Sequence, residues 1–202
     1  MSNPAPGTLE TVRAFVNTRD VDDDIDLLSG PAELASWLAD AGLAAAAGEN
    51  ARELRATGAD LRRAIELREA LRAHLLAHHD QPLDPQAAAT LDATARRARL
   101  TVRFTGRDET ALEPEAGGVD GALGRLLAIV ARAIEDGTWQ RLKVCPADTC
   151  QWAFYDASRN RSAVWCDMRV CGNRAKVRGF RERTRSGDPG GQDATHGHGH
   201  GD

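Results

Sequence analysis

Residues 145–185 read CPADTC QWAFYDASRNRSAVW CDMRVC GNRAKVRGFRERTR, and they hold every cysteine of the chain. Cys145 and Cys150 form one pair, and Cys166 and Cys171 a second. Four residues lie inside each pair and fifteen between the pairs. Two pairs with none left over suit a closed four-thiolate site, because each tight turn delivers two ligands and the intervening segment can bring the second turn back. Soft thiolates and a tetrahedral, closed geometry favour one structural zinc ion per chain. Two disulfides, in one of three connectivities, and an iron–sulfur cluster are the competing readings of four cysteines. Residues 1–9 (MSNPAPGTL) carry neither a basic region nor an apolar run of a secretory leader, so the expectation is a reducing, cytoplasmic setting.

Around the cysteines, Trp152, Phe154, Tyr155-Asp156, Ser158-Arg159-Asn160, Trp165 and Cys171-Gly172-Asn173-Arg174 are placed so that the stretch resembles the bacterial CGNR-type zinc finger. Two further places resemble the ABATE domain that precedes this finger in such proteins: Phe15-Val16-Asn17-Thr18 and the run from Leu67 to Arg72. The resemblance implies a helical domain over residues 8–138 and a finger over 139–185, and the composition of 186–202 reads as a disordered tail. It also implies a stress-induced transcriptional regulator whose body senses a small-molecule effector or mediates homodimerisation. DNA is the partner it implies for the finger.

Periodicity in the body supports a fold class that is mainly α with a small β-hairpin. Leu9, Val12, Phe15 and Val16 share a helical face, with Thr8 as its N-cap. Leu34, Trp37 and Leu38 line a second helix after Gly30-Pro31. The longest helical pattern, Asn50 to His79, puts Leu61, Ala64, Ile65, Leu71 and Leu75 on one stripe together with Arg68 and Arg72. Those arginines either reach solvent or, with Asn17, hold an anion in a ligand pocket. Gln86 to Arg99 reads as a helix, and Leu100 to Thr105 alternates as a strand with 111–115 as its hairpin partner. Val119 to Ile134 is a strongly amphipathic helix with Leu123, Leu126, Leu127, Val130 and Ile134 inward. Asp20 to Ile25 reads as a solvated acidic loop. His74 and His78 stand at i and i+4, but no third ligand accompanies them and a polar helix end is the better reading. In the finger, 152–155 and 163–165 read as two strands around the turn 157–162.

Charge divides the chain sharply. Residues 141–185 carry eleven Lys/Arg against four carboxylates, a net +7, whereas residues 1–140 carry −8 and the tail −3. A basic module on an acidic body is the electrostatic footprint of a polyanion partner. At 100° per residue Arg174, Arg178, Arg181 and Arg185 form one stripe of a helix from Gly172, with Val177 and Phe180 beside it facing inward. That stripe suits a phosphate backbone. Arg159 and Arg161 on the turn and Asn173 at the helix start complete the candidate nucleic-acid contacts. Six of the nine aromatic residues lie in this last part of the chain, where a small module needs them for packing. The tail GDPGGQDATHGHGHGD is too polar and glycine-rich for a core.

No stretch is apolar enough to span a membrane. A glycine-rich nucleotide loop, a serine-nucleophile elbow and a His-Glu-x-x-His helix are all absent, so an enzyme is not expected. The sequence therefore reads as a zinc-containing DNA-binding regulator. A protein- or RNA-contact finger without a specific DNA site, or an enzyme whose body uses Asn17, Arg68 and Arg72 to hold an anionic substrate, are the other readings.

Overall fold

The computed structural model describes residues 4–44 and 54–185. Two compact units result, residues 1–166 and residues 167–202. In chain order the elements are α1 (Leu9–Val16), β1 (Arg19–Asp20), β2 (Ile25–Asp26), α2 (Pro31–Asp40), α3 (Gly58–Ala77), α4 (Pro85–Ala98), β3 (Leu100–Phe104), β4 (Thr110–Pro114), α5 (Gly118–Glu135), β5 (Leu142–Val144), β6 (Ala153–Tyr155) and α6 (Asn173–Arg185). The mainly helical class with small antiparallel strand pairs is the one the periodicity predicts. The expected tail, 186–202, lies outside the described residues.

In the first unit α1, α3 and α5 supply most of the core. Val12, Phe15 and Val16 from α1, Leu67, Leu71 and Leu75 from α3, and Leu123 and Leu126 from α5 are all essentially inaccessible. α3 starts later than the apolar pattern suggested. Thr57 caps it reciprocally, its Oγ1 accepting from Asp60 N–H at 3.2 Å while Asp60 Oδ2 accepts from Thr57 N–H at 2.7 Å, so a Thr-x-x-Asp box sets the boundary. Residues 50–53 of the expected helix lie outside the described residues. Asp84 caps α4 with Pro85 in its first turn, and Arg99 ends it in the left-handed region at φ 51°. The β3–β4 hairpin pairs Leu100 with Pro114 through to Phe104 with Thr110. α5 approaches it closely at Gly124, where a Cβ would lie 2.6 Å from Ala98 Cβ and 3.0 Å from Pro114 Cβ. Only glycine permits that approach.

Three local expectations are corrected. The acidic stretch is loop only in its middle: its ends pair as a two-residue ribbon, Arg19 opposite Asp26 and Asp20 opposite Ile25, while residues 21–24 form the expected acidic turn, exposed at 22–24. Ile134 is about half exposed, on the outer side of a last turn of α5 whose Ala133 is buried. The strand pair of the finger is not 152–155 with 163–165. Instead β6 pairs with β5, Leu142 with Tyr155, Lys143 with Phe154 and Val144 with Ala153. The reason is burial: Leu142, Val144 and Ala153 belong to the body's core together with Trp139, whereas 163–165 forms no strand. The first cysteine pair thus hangs from a ribbon built into the first unit.

Candidate metal centre and nucleic-acid interface

Cys145 directly follows β5 and Cys150 precedes β6, so both sit in the connection of that ribbon. The connection is a tight knuckle. Cys145 N–H donates to Trp152 O at 2.9 Å, Cys150 N–H donates to Ala147 O at 2.8 Å, and Gln151 takes the left-handed conformation at φ 52°. Cys171 lies in a π-helical turn, Met168–Gly172. Asp167 organises that turn, its Oδ1 accepting from Arg169 N–H at 2.7 Å and from Val170 N–H at 3.3 Å. The four ligand sulfurs all lie within 4.8 Å of one another, and Cys145, Cys150 and Cys171 are buried. All four are thiols rather than disulfides.

The donor set fits zinc. Four sulfurs at about 2.3 Å from one ion stand about 3.8 Å apart in a tetrahedron, and Cys150 Sγ and Cys166 Sγ lie 3.5 Å apart. Crowding makes protonation interdependent. The hydrogen bond from Cys150 pulls the Cys145 thiol down, and the same contact pushes Cys150 up. Hydrogen bonding to Cys145 also pushes Cys166 up. Thiolates this close repel one another, and Cys145, Cys150, Cys166 and Cys171 would hold a dication whose charge would offset that repulsion. Zinc held there would fasten the two turns and supply no reaction chemistry, since four protein ligands leave no open position.

Lys143 and Asp156 form the support behind the centre. The Lys143 ammonium is buried and donates to Asp156 Oδ2 at 2.9 Å, Arg161 O at 2.6 Å and Ala163 O at 3.1 Å. Asp156 Oδ1 accepts from Ser158 N–H and Oγ, and Oδ2 from Ala163 N–H. Burial alone would raise the Asp156 carboxyl, but bonds from Ser158 and Lys143 outweigh it and hold the carboxyl at about 2. One ion pair therefore ties the whole 156–163 segment leading to Cys166. The sequence signal for it was weak: Lys143 is one of only two lysines in the chain, set on a three-residue strand.

Asn17, Arg68 and Arg72 are buried, and each has protein partners. Asn17 Nδ2 donates to Ala153 O at 2.9 Å, and Ala153 N–H donates to Asn17 Oδ1 at 2.7 Å. Arg68 makes a two-pronged pair with Asp26 at 2.7 and 2.9 Å and donates also to Thr18 Oγ1 and Glu69. Arg72 donates to Gln151 O at 2.6 Å, Val16 O at 2.8 Å and Glu69 Oε2 at 2.9 Å. The histidine pair divides: His78 Nδ1 bonds Leu142 O at 2.7 Å, whereas the His74 ring packs edge-on against Trp139 with centroids 5.5 Å apart; the neighbouring His79 Nε2 bonds Val144 O, also at 2.7 Å. A carbonyl accepts, so each ring nitrogen carries its proton. Burial holds His78 below the ordinary imidazole value. His79 was not singled out by the sequence, because a side chain bonding a backbone 65 residues away leaves no local pattern.

The second unit presents the basic helix. Asn173, Arg174, Arg178 and Arg181 share a recess of about 760 Å³ with Arg169, Val170 and Val177. Asn173 Nδ2 donates to Arg169 O at 2.9 Å, bridging the π turn to α6. Val177 and Phe180 are exposed rather than inward, Phe180 to 64 %. They were expected to face inward; within its unit α6 packs against the π turn that precedes it and leaves both uncovered. The Arg185 side chain lies outside the described set. Arg159 and Arg161 are exposed in the first unit, where Arg161 Nη1 donates to Gln140 Oε1 at 2.9 Å.

Against known families, residues 141–184 match the CGNR zinc finger. Residues 10–136 match ABATE, which carries the description "Putative stress-induced transcription regulator". The chain belongs to the ABATE family. Its four-cysteine cluster is the zinc site of a CGNR finger, and the order of the two matches is the one the motifs implied. The ABATE description is regulatory rather than catalytic. No curated protein matches the chain significantly. Among the described residues no helix is long and apolar enough to cross a membrane.

Proposed function

We propose that this ABATE protein is a cytoplasmic, zinc-dependent transcription regulator that docks on DNA through the basic face of α6. In this reading residues 139–185 act as the finger, and residues 8–138 act as an effector-sensing or dimerising body. The observation that carries it is the shared, exposed recess of Asn173, Arg174, Arg178 and Arg181 on a helix just past the last zinc ligand. Guanidinium groups at successive helical turns suit phosphates spaced along a groove. Arg159, Arg161 and Arg185 are further candidate contacts. Asn17, Arg68 and Arg72 are assigned no effector in this proposal, since their polar groups already bond the protein itself.

The test uses the full-length zinc protein and random-sequence duplex DNA at several salt concentrations. Replacing Arg174, Arg178 and Arg181 together by alanine should reduce the salt slope by up to about 3, one unit per lost phosphate contact. Zinc content should stay at one per chain. An unchanged slope would exclude the helix as the contact. The exposed Phe180 and Val177 favour a second reading, a protein partner on the same helix. Loss of partner capture on Phe180→Glu, with DNA affinity absent in the parent protein, would select it.

A further inference from the structure

The β5–β6 ribbon has two outer edges, and side chains of the helical body occupy both. Its ladder bonds run from Cys145 N–H to Trp152 O and from Asp156 N–H to Arg141 O. Antiparallel alternation then turns the Leu142 and Val144 carbonyls, and the Ala153 N–H and C=O, away from the partner strand. His78 and His79, at the end of α3, take the first two, and Asn17, at the end of α1, takes both groups of Ala153. Arg72 takes the carbonyl of Gln151, next to Cys150. Arg13 Nη1 adds a longer bond to Ala153 O at 3.4 Å. The backbone groups so taken, on Leu142, Val144, Gln151 and Ala153, all lie within three residues of Cys145 or Cys150.

We infer that Asn17, Arg72, His78 and His79 are positioning residues of the zinc site, so that zinc affinity is a property of the helical body as well as of the four cysteines. A two-stranded ribbon of three residues a side is not stable by itself in water. Its edges also need partners once Leu142, Val144 and Ala153 are buried. α1 and the end of α3 supply those partners and so set the spacing of Cys145 and Cys150 before metal arrives. Groups that orient metal ligands commonly control affinity by about 10–100-fold. Coupling is reciprocal: zinc must tighten α1 and the end of α3 by the same free energy that they contribute to zinc. An effector that shifts α1 against α3 would change zinc retention without touching a cysteine.

The experiment uses full-length apoprotein under reducing conditions, titrated with zinc against a chromophoric chelator. Asn17→Ala and Arg72→Met should each weaken zinc by about 10–100-fold with helical circular dichroism retained. Arg72→Lys, which keeps a charged donor for the Gln151 carbonyl, should recover part of the loss. Arg62→Ala, on the exposed side of α3, should bind as the parent does. Hydrogen exchange on the unaltered protein gives an independent readout that does not depend on the variants folding. Removing zinc should speed exchange at 9–16 and 72–79 as well as in the ribbon. Parent-like zinc affinity in folded Asn17→Ala and Arg72→Met, or exchange changes confined to residues beyond 139, would overturn the assignment.

Discussion

The two cysteine pairs stand on very different ground. Cys145 and Cys150 are carried by a ribbon whose side chains Leu142, Val144 and Ala153 are almost wholly buried and whose outward edge groups are taken by α1 and α3. Cys171 leads directly into α6, where Val177 and Phe180 are exposed and arginines line an open recess. Within about forty residues the same module is scaffold at one end and surface at the other. Burial and satisfied polar groups belong to the end that must hold geometry. Unburied apolar and cationic groups belong to the end available to a partner.

The largest effect expected from breaking this contrast comes from the ligands themselves. Cys145→Ser or Cys150→Ser should abolish stoichiometric zinc and also lower the melting temperature of the helical body, because the ribbon is part of its core. Cys171→Ser should abolish zinc with a smaller shift in the body's melting. Elemental analysis with calorimetry checks both, and equal shifts for the two pairs would remove the distinction between them.

Next in size is the buried ion pair. Lys143→Ala leaves Asp156 charged and without its ammonium, a loss of about 3–5 kcal/mol by urea unfolding. Replacing Arg178, exposed on α6, by alanine should stay within about 0.5 kcal/mol. Similar costs at the two sites would show that α6 stabilises the fold as much as the ribbon does.

The Asp26–Arg68 pair anchors α3, which carries Arg72 and leads into His78 and His79. Burial alone would raise Asp26, but hydrogen bonds from Arg68 and from Leu28 N–H outweigh it and hold its carboxyl below the ordinary aspartate value of 3.8. A depressed carboxyl contributes stability above its unfolded value and loses it as pH falls through its folded one. Asp26→Asn should therefore cost about 2 kcal/mol near neutrality. Its deficit relative to the parent should shrink once pH drops below about 4. A deficit that does not vary with pH would mean the carboxylate's charge contributes nothing. The smallest stability effect is expected from the triple arginine replacement on α6, whose consequence should appear only in the salt dependence of DNA binding.

Much of this protein was legible in the chain itself. Cysteine number and spacing named the four candidate ligands and favoured zinc, since thiolate number and loop length constrain coordination wherever the module sits. Hydrophobic periodicity determined α1, α2, α5 and the β3–β4 hairpin, because each is long enough for its period to show above noise, and the arginine stripe determined α6. Three things were decided only by tertiary structure. β5 took β6 as its partner because a three-residue strand has too little pattern to name one, and burial against α3 chose it. Val177 and Phe180 stayed in water because no described element folds over them, which no helical wheel can reveal. Asn17 and Arg72 became supports of the metal ribbon through bonds to backbone groups 136 and 79 residues away. Backbone groups are the same in every residue, so a side chain that selects one of them leaves no complementary letter in the sequence, and only the folded chain discloses the pairing.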